Sequence, residues 1–271
     1  MLNNHFKLLM ITNDPVKAKI LSESGIDRIF VDLEIIGKTE RQGHLDTVIS
    51  RHNIKDVEKV KKSISKGEVL VRINPLNKNS KDEIDRAIDY GADIIMLPMF
   101  RMQEEVERIS ELIGGRVKFI PLIETKKSVE NITEIVNSEG VDEFFIGLND
   151  LHLDFNLKFM FQLLENGILD LLVKKINEKK IKFGFGGIAR MGHGLLPAEQ
   201  ILTEHSRLHS SSVILSRTFC DESDFNLSFL RSEVDKIKNL MTDLGRRKEP
   251  DIYKDKINLD KKIKKIVESL G

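Results

Sequence analysis

Residues 121–125 read Pro-Leu-Ile-Glu-Thr, and residues 146–150 read Ile-Gly-Leu-Asn-Asp. Both stretches begin as short apolar runs, and each carries a carboxylate near its end, Glu124 in the first and Asp150 in the second. A segment long enough for a helix separates them, as in two parallel strands joined by a crossover helix. Successive strands of such a unit end at the same edge of the sheet, so both carboxylates are predicted to emerge there. Two carboxylates converging at one edge are typical of a site for a hard divalent cation.

The pattern of a short apolar run followed by an amphipathic segment occurs repeatedly along the chain. Runs such as Ile94–Leu97 are apolar at consecutive positions, which is typical of parallel strands buried on both faces. Eight strand–helix repeats predict an α/β fold of the (β/α)8 TIM-barrel type, which needs about 250 residues. A doubly wound open sheet is the alternative, but its glycine-rich fingerprint is missing after the first run. The predicted strands are Lys7–Asn13, Arg28–Glu34, Glu68–Asn74, Asp93–Met99, Val117–Thr125, Glu143–Asp150, Ile181–Ala189 and Ser211–Phe219.

The 271 residues accommodate one barrel and a short extension. We assign residues 1–245 to a TIM-barrel catalytic domain and residues 246–271 to a C-terminal helical tail, because the character of the sequence changes there. Pro250 is expected to break the chain, and Leu259–Leu270 has the pattern of a short basic amphipathic helix. The tail is expected either to be solvated or to pack on a neighbouring subunit.

The composition argues against several classes of protein. Lys plus Arg and Asp plus Glu both number 43, so the net charge is near zero, unlike that of a nucleic-acid binder that relies on a basic surface. The single cysteine, Cys220, suits a reducing compartment. The N-terminus lacks the apolar region of a signal peptide, and no apolar run approaches the roughly 20 residues that span a bilayer. We therefore expect a cytoplasmic protein without a nucleic-acid or membrane partner.

Active sites of TIM barrels lie at the C-terminal ends of the strands. The polar residues predicted at this rim exceed what stability would require. Only one of Asp32 and Glu34 is expected to face the barrel centre, with Glu34 there and Asp32 as its support. The polar residues predicted at the rim are Asp32, Glu34, Arg72, Asn74, Glu124, Asn149, Asp150, Arg190 and Arg217.

Five of the rim motifs carry a resemblance to a known family. They are VDLE at Val31–Glu34, VRIN at Val71–Asn74, GADIIMLP at Gly91–Pro98, PLIET at Pro121–Thr125 and IGLND at Ile146–Asp150. In these motifs the chain resembles the HpcH/HpaI aldolase and citrate lyase β-subunit family, over about residues 6–219. The resemblance implies a TIM-barrel enzyme that makes or breaks carbon–carbon bonds through an enolate. It also implies that Glu124 and Asp150 hold Mg²⁺ or a similar ion, and that Arg72 binds the oxygen that becomes the enolate.

One position departs from the pattern of this family. In the aldolase branch a histidine directly follows the strand-two glutamate and serves in acid/base catalysis, whereas here Ile35 follows Glu34. His44, in the loop after strand two, is our candidate for the missing base, because an imidazole titrates near neutral pH. His152 is the competing candidate. Glu34 is expected to orient the histidine or a water molecule.

The segment from residue 184 to residue 194 contains five glycines. Loops after strands seven and eight often bind phosphate in this fold, and glycine lets backbone N–H groups approach an anion closely. We expect Gly186 and Gly187 to contact the substrate, together with Asn149 and Arg72. The alternative is a close crossing of substrate and backbone without a phosphate.

These observations predict a metal-dependent aldolase that cleaves or forms a 4-hydroxy-2-oxo acid through a pyruvate-type enolate. Oxygen-only ligands favour Mg²⁺ or Mn²⁺ over Zn²⁺ as the cofactor. The expected partners are a small-molecule 2-oxo acid and further copies of the chain in a homo-oligomer. One alternative is a citryl- or malyl-CoA-type lyase, whose nucleotide would need an extended basic surface. The other is a barrel that retains the metal site but serves only in binding or regulation.

Overall fold

Eight parallel strands form a closed barrel in this computed structural model, which describes residues 6–37 and 52–270. Each strand pairs with the next along the chain, and β8 returns to pair with β1, so the predicted (β/α)8 TIM barrel is confirmed. The strands are β1 Lys7–Ile11, β2 Arg28–Asp32, β3 Glu68–Arg72, β4 Ile94–Leu97, β5 Lys118–Ile123, β6 Glu143–Ile146, β7 Lys182–Ile188 and β8 Ser212–Leu215.

Helices follow the strands on the outside of the barrel. Within the described residues, none of them combines the length and the apolar character that crossing a bilayer requires. The helices are α1 Pro15–Ser24, α2 Ile54–Ser63, α3 Ser80–Asp89, α4 Gln103–Ile113, α5 Lys126–Glu130, α6 Ile132–Ile135, α7 Leu148–Asp154, α8 Gln162–Glu165, α9 Ile168–Glu178, α10 Ala198–Arg207, α11 Leu227–Leu244 and α12 Glu249–Ser269.

Two buried clusters hold the strands in place. Leu9, Phe30 and Leu70 belong to a compact cluster inside the barrel, which also draws residues from β4, β5 and β6. Their neighbours along the strands, such as Leu8 and Val71, belong to the larger cluster between the strands and the helices. Successive strand residues point to opposite faces, so this alternation explains why the strands are apolar at every position. The polar residues therefore collect where the strands end.

Local signals set several helix ends. The Asp14 carboxylate accepts hydrogen bonds from the Val16 and Lys17 N–H groups and caps α1, which begins at Pro15. Gly25 ends the same helix in the left-handed conformation, with φ of 100°.

The C-terminal helix differs from the prediction. Pro250 lies in the first turn of α12, where a missing N–H costs nothing, so it starts the helix rather than breaking the chain. Leu259 and Ile263 are buried, and α12 packs on α8 and α10 of its own chain. The division into a domain of residues 1–245 and a tail of residues 246–271 stays a prediction.

A buried arginine closes the N-terminal end of the barrel. Arg28 at the start of β2 donates hydrogen bonds to Glu143 at the start of β6, on the opposite side of the barrel, and to Glu68 of β3 at 3.1 Å. Arg28 is fully buried. Burial alone would raise the pKa of Glu68, but the hydrogen bonds from Lys118 and Arg28 lower it to about 2.

Candidate active site

Arg72 is held at the C-terminal rim by a carboxylate on the neighbouring strand. Asp32 and Arg72 are the last residues of β2 and β3 and lie in register. Arg72 Nε and Nη2 donate to Asp32 Oδ1 and Oδ2, each at 2.9 Å, and Nη2 also lies 3.4 Å from Glu34 Oε2. Among the described residues, Arg72 Nη1 has no hydrogen-bond partner. Burial alone would lower the pKa of Arg72, but the charges of Asp32 and Glu34 raise it, so the side chain stays a cation.

Both acidic residues of the VDLE motif contact Arg72. The expectation that only one of Asp32 and Glu34 faces the barrel centre is therefore wrong. Residues two positions apart in an extended chain lie on the same face, so the two carboxylates point the same way. Each is only 1% exposed, and burial of two carboxylates requires a cation close by.

Glu124 follows β5 directly and is 2% exposed. Its Oε1 accepts a hydrogen bond from the Met99 N–H at 3.0 Å. Burial raises the pKa of Glu124 well above its usual value, and the negative charges of Asp150 and Glu34 raise it further against the opposing effect of Arg72. A divalent cation at this position would relieve that repulsion.

Asp150 lies in the first turn of α7, which begins two residues after β6 ends. The predicted strand through Asp150 is therefore too long, although the Asp150 carboxylate is still close enough to Glu124 for its charge to raise the pKa of Glu124. Gly147, between β6 and α7, makes room for the Glu124 side chain. A Cβ atom added there would lie 2.9 Å from Glu124 Oε2 and 3.1 Å from Glu124 Cβ.

The oxygen ligands at the rim fit a hard cation for which the protein supplies only part of the coordination shell. Across residues 6–37 and 52–270, no group of three or more His, Cys, Asp or Glu side chains is placed to hold a metal ion. A cation here would take two carboxylates, Glu124 and Asp150, which is ordinary for Mg²⁺, since that ion keeps several waters or substrate oxygens. Because every donor is oxygen, the set suits Mg²⁺ or Mn²⁺ better than a soft metal.

Of three histidines that lie near the rim motifs in the sequence, the structure describes two. His44 lies outside the described residues. His152 is in α7, and its Nδ1 is hydrogen-bonded to the Asn149 carbonyl. His52 Nδ1 accepts the Asp32 N–H at 2.9 Å, so this ring completes the hydrogen bonding of β2 where the strand ends.

Asn74 supports the rim instead of lining it. Its side-chain oxygen accepts the N–H groups of Ile35 and Ile36 at 2.9 and 3.0 Å, and its Nδ2 donates to Glu83 at 2.8 Å. The turn after Glu34 is therefore fixed by a side chain that lies two residues beyond the end of β3.

The glycine-rich segment lies where the ladder between β7 and β8 shifts register, between Gly184 and Gly187. Gly186 has φ of 55°, and a Cβ atom there would lie 2.9 Å from Leu148 Cδ1. Arg190 pairs with Asp224 at 3.3 Å, so it anchors the loop after β7 to the loop after β8. Substrate contacts by Gly186, Gly187 and Asn149 stay predictions.

Sequence reasoning missed three contributors to this site. Met99 aims its N–H at Glu124 from a left-handed backbone conformation, with φ of 56°, which side-chain chemistry does not reveal. His52 accepts the Asp32 N–H at the end of β2 from a position 20 residues further along the chain, a contact that no local pattern predicts. The third, Gly147, stands inside the IGLND motif, where a glycine three positions before Asp150 was the available signal.

Residues 6–160, more than half of the chain, match the family model of HpcH/HpaI aldolase/citrate lyase. The chain has no match among curated proteins. Its structure is similar to that of an HpcH/HpaI aldolase/citrate lyase family protein from Burkholderia cenocepacia J2315, with a TM-score of 0.63, 13% identity and coverage of 88% of this chain and 95% of that chain.

Two further solved structures are similar. For HpcH/HpaI aldolase from Desulfitobacterium hafniense DCB-2 the TM-score is 0.61 at 16% identity, over 87% of this chain and 93% of that one. For citrate synthase SbnG the TM-score is 0.61 at 17% identity, over 88% of this chain and 95% of that one. Sequence identities this low show only that the fold is shared. The match to the family model, in contrast, covers the segment that carries Arg72, Glu124 and Asp150. The chain belongs to the HpcH/HpaI aldolase/citrate lyase family, whose members are typically lyases and generally use a divalent metal ion.

Proposed function

We propose that this protein is a divalent-metal-dependent carbon–carbon lyase that cleaves or forms a 4-hydroxy-2-oxo acid through a pyruvate-type enolate. The observation that carries the proposal is the cluster of Glu124, Asp150 and Glu34 beside Arg72. In this cluster, carboxylates that repel one another lie beside a guanidinium of fixed orientation. The cluster is at the rim where the active sites of barrel enzymes lie. Structural ion pairs alone do not need such an excess of negative charge.

Glu124 and Asp150 would hold the cation, and Mg²⁺ or Mn²⁺ is the proposed ion. When bound, a divalent cation supplies a Lewis acid that polarises the carbonyl of a 2-oxo acid. The Met99 N–H fixes one oxygen of Glu124, and Gly147 leaves space for the other. The protein therefore orients this carboxylate before any ligand arrives.

Arg72 would stabilise the developing enolate oxygen. Asp32 occupies Nε and Nη2 of Arg72, which leaves the N–H groups of Nη1 for a substrate. A preorganised cation at the place where negative charge develops lowers the barrier, because it need not reorient during the reaction.

Proton transfer is assigned to His44, with Glu34 orienting it or a water molecule, and His152 is the competing base. Gly186, Gly187 and Asn149 are proposed to contact the 2-oxo acid. A homo-oligomeric assembly and a cytoplasmic location likewise remain predictions.

The test is exchange of the methyl protons of pyruvate with deuterium, followed by NMR in Mg²⁺, in Mn²⁺ and in excess chelator. We expect exchange that chelator abolishes and that Glu124→Gln and Asp150→Asn each remove. Glu233→Gln is the matched control, because Glu233 is equally buried but lies on α11. Undiminished exchange in chelator, or in both rim variants, would overturn the proposal.

The same preparation separates the two alternatives. A barrel that only binds would take up Mn²⁺, seen by electron paramagnetic resonance, without any exchange of pyruvate protons. A citryl- or malyl-CoA-type lyase would release an acyl-CoA from those thioesters faster than it cleaves a 4-hydroxy-2-oxo acid.

A further inference from the structure

The last backbone N–H of β2 is bonded to a side chain instead of to a neighbouring strand. Successive N–H groups of a strand point to opposite sides of it. The Leu33 N–H donates to the Arg72 carbonyl of β3 at 2.9 Å, so the Asp32 N–H faces β1. The pairing of β1 with β2 ends one step earlier, where the Thr12 N–H donates to a β2 carbonyl at 3.1 Å. His52 Nδ1 takes the place of the next β1 carbonyl and accepts the Asp32 N–H at 2.9 Å.

The His52 ring is held in place by the start of α2. Asn53, the next residue, caps that helix, and its own N–H donates to Asp56 Oδ2 at 2.9 Å. Asp56 is buried, and the same oxygen accepts a hydrogen bond from Asn13 Nδ2 at 2.8 Å. Asn13 lies two residues beyond the end of β1. The chain beside His52 is therefore tied to the end of β1, and the imidazole meets β2 from a fixed direction.

The residue that His52 holds is the one that orients Arg72. Both oxygens of the Asp32 carboxylate accept hydrogen bonds from Arg72, each at 2.9 Å. Asp32 is almost completely buried, so its side chain has little room to compensate for a shift of its backbone. Such a shift would turn the guanidinium of Arg72, including the nitrogen proposed to meet the enolate oxygen.

The hydrogen bond also fixes the protonation of the ring. Nδ1 of a histidine accepts only when it carries no proton, so the ring that makes this bond is neutral and has its hydrogen on Nε2. In this state neither nitrogen of His52 is available to take a proton from a substrate. The ring therefore supports the site and is distinct from the general base.

We propose that His52 is a positioning residue for enolate formation: its Nδ1 fixes the end of β2, and Asp32 transmits that fixed position to Arg72. The inference rests on the proposed function, because Arg72 has an enolate oxygen to stabilise only where the site forms one.

The test compares three substitutions of His52 in the full-length protein, by exchange of the methyl protons of pyruvate with deuterium in Mg²⁺. An asparagine can place its side-chain oxygen where Nδ1 lies, a glutamine places its amide nearer Nε2, and a phenylalanine keeps a ring without an acceptor. We expect His52→Phe and His52→Gln to lower kcat for exchange by about 10- to 100-fold, the usual cost of losing a supporting group. KM for pyruvate should change far less, and His52→Asn should restore most of the rate.

A double variant shows whether His52 acts through Arg72. Arg72→Lys already loses the oriented guanidinium, so the further change His52→Phe should slow exchange little more. A group with a separate role, such as a general base, would instead multiply the two losses. Asn226→Ala is the matched control, because Asn226 caps α11 at the same end of the barrel through the Phe229 N–H. We expect it to keep the wild-type exchange rate per folded molecule.

Three results would overturn the positioning role of His52. They are equal losses in His52→Asn and His52→Phe, multiplied losses in the double variant, and a wild-type rate in His52→Phe. In each of these cases metal-dependent exchange by the wild type still supports the proposed function, so this inference alone is overturned. Absence of exchange in the wild type overturns the proposed function and this inference with it.

Discussion

At Arg72, the neighbouring carboxylates decide which nitrogen can meet a substrate. Asp32 takes Nε and Nη2 in a bidentate pair, and Glu34 lies 3.4 Å from Nη2. The guanidinium cannot rotate without breaking these contacts, so its remaining nitrogen has a fixed direction. A planar guanidinium is essential to this arrangement. A lysine at position 72 would carry one point charge, and Asp32 alone would hold it.

The Arg72→Lys variant tests this geometry. We expect the rate of pyruvate proton exchange to fall by roughly 100-fold or more, the usual cost of losing one oxyanion donor. Mn²⁺ affinity, measured by electron paramagnetic resonance, should change far less, because Glu124 and Asp150 remain. An exchange rate close to that of the wild type would argue against a role for Arg72 at the enolate oxygen.

Gly147 gives a second prediction at this scale. A methyl group there would lie 2.9 Å from Glu124 Oε2, so Gly147→Ala forces the carboxylate to shift by a few tenths of an ångström. We expect apparent affinity for Mg²⁺ to fall about 10-fold or more, as when the support of a ligand is disturbed. Gly245→Ala is the control, since its added Cβ meets only ordinary contacts at 3.5 Å. Equal Mg²⁺ affinity in the two variants would contradict the steric argument.

The residues that carry charge at the site could be predicted from the sequence, because each lies at the end of a strand or shortly after it, in a recognisable motif. Glu124, Asp150 and Arg72 were predicted at the rim, and the structure places them there. The supporting groups could not be read, because their contribution is backbone geometry. The left-handed conformation of Met99 depends on how the loop after β4 packs.

Between β7 and α10 a histidine serves as a packing residue. His205 is fully buried and stacks on Phe185 of β7 at 3.7 Å, with the Phe6 ring at its edge. Its Nδ1 is hydrogen-bonded to Ser210 Oγ at 3.0 Å, and its buried Nε2 has no hydrogen-bond partner within residues 6–37 and 52–270. Burial lowers the pKa of His205 to about 3, so the ring is neutral in the folded protein.

This arrangement predicts a loss of stability in mild acid. An unfolded histidine binds a proton near pH 6.5, whereas folded His205 does so only near pH 3, so the stabilisation is complete above pH 6.5 and is lost as pH falls. At pH 5 the free energy of unfolding should be lower by about 2 kcal/mol from this group. Urea unfolding at pH 7.5, 6 and 5 measures the change.

Two variants separate His205 from the other titrating groups. His205→Phe should make the loss of stability between pH 7.5 and 5 smaller than in the wild type by about 2 kcal/mol, whereas His209→Gln, at an exposed histidine four residues later, should leave it as in the wild type. Glu68 does not interfere, because its pKa of about 2 places its contribution below pH 4.5. A profile that keeps its slope in His205→Phe would assign the acid sensitivity elsewhere.

Strands and helices were predicted well where the hydrophobic periodicity of the sequence decides their bounds. They were predicted less well where contacts with other parts of the chain decide them. All eight strands lie within the predicted runs. The segment between β5 and β6 forms two short helices in place of one regular crossover helix, α5 and α6, which meet at Asn131. Asn131 Nδ2 donates to the Arg101 carbonyl, a contact from another loop that no local pattern reveals.

In the molecule as a whole, the two ends of the barrel serve different purposes. The C-terminal rim gathers carboxylates that repel one another, which is costly for stability and useful for binding a cation. The N-terminal end instead pairs its charges, with Arg28 between Glu143 and Glu68. Barrel enzymes commonly divide in this way between a stabilising face and a catalytic face.

The order of strands, and hence the division between the two ends, followed from the repeat pattern. Parallel strands that succeed one another along the chain share an orientation, so each motif could be assigned to an end without coordinates. The pairing of Arg28 with Glu143 could not be predicted in this way, because β2 and β6 face each other only once the barrel closes. Their separation of 115 positions carries no local signal.

The last prediction uses this pair to separate stability from activity. Arg28→Met leaves Glu143 buried without its main partner, which should lower the free energy of unfolding by roughly 3–5 kcal/mol. The double variant Arg28→Met with Glu143→Leu removes both charges, so it should recover a substantial part of that loss. Urea unfolding at pH 7.5 measures both changes. The rate of pyruvate exchange per folded molecule should stay at the wild-type value, because the pair lies at the opposite end from Arg72 and Glu124. If the double variant were no more stable than Arg28→Met, loss of packing rather than an unpaired charge would explain the effect.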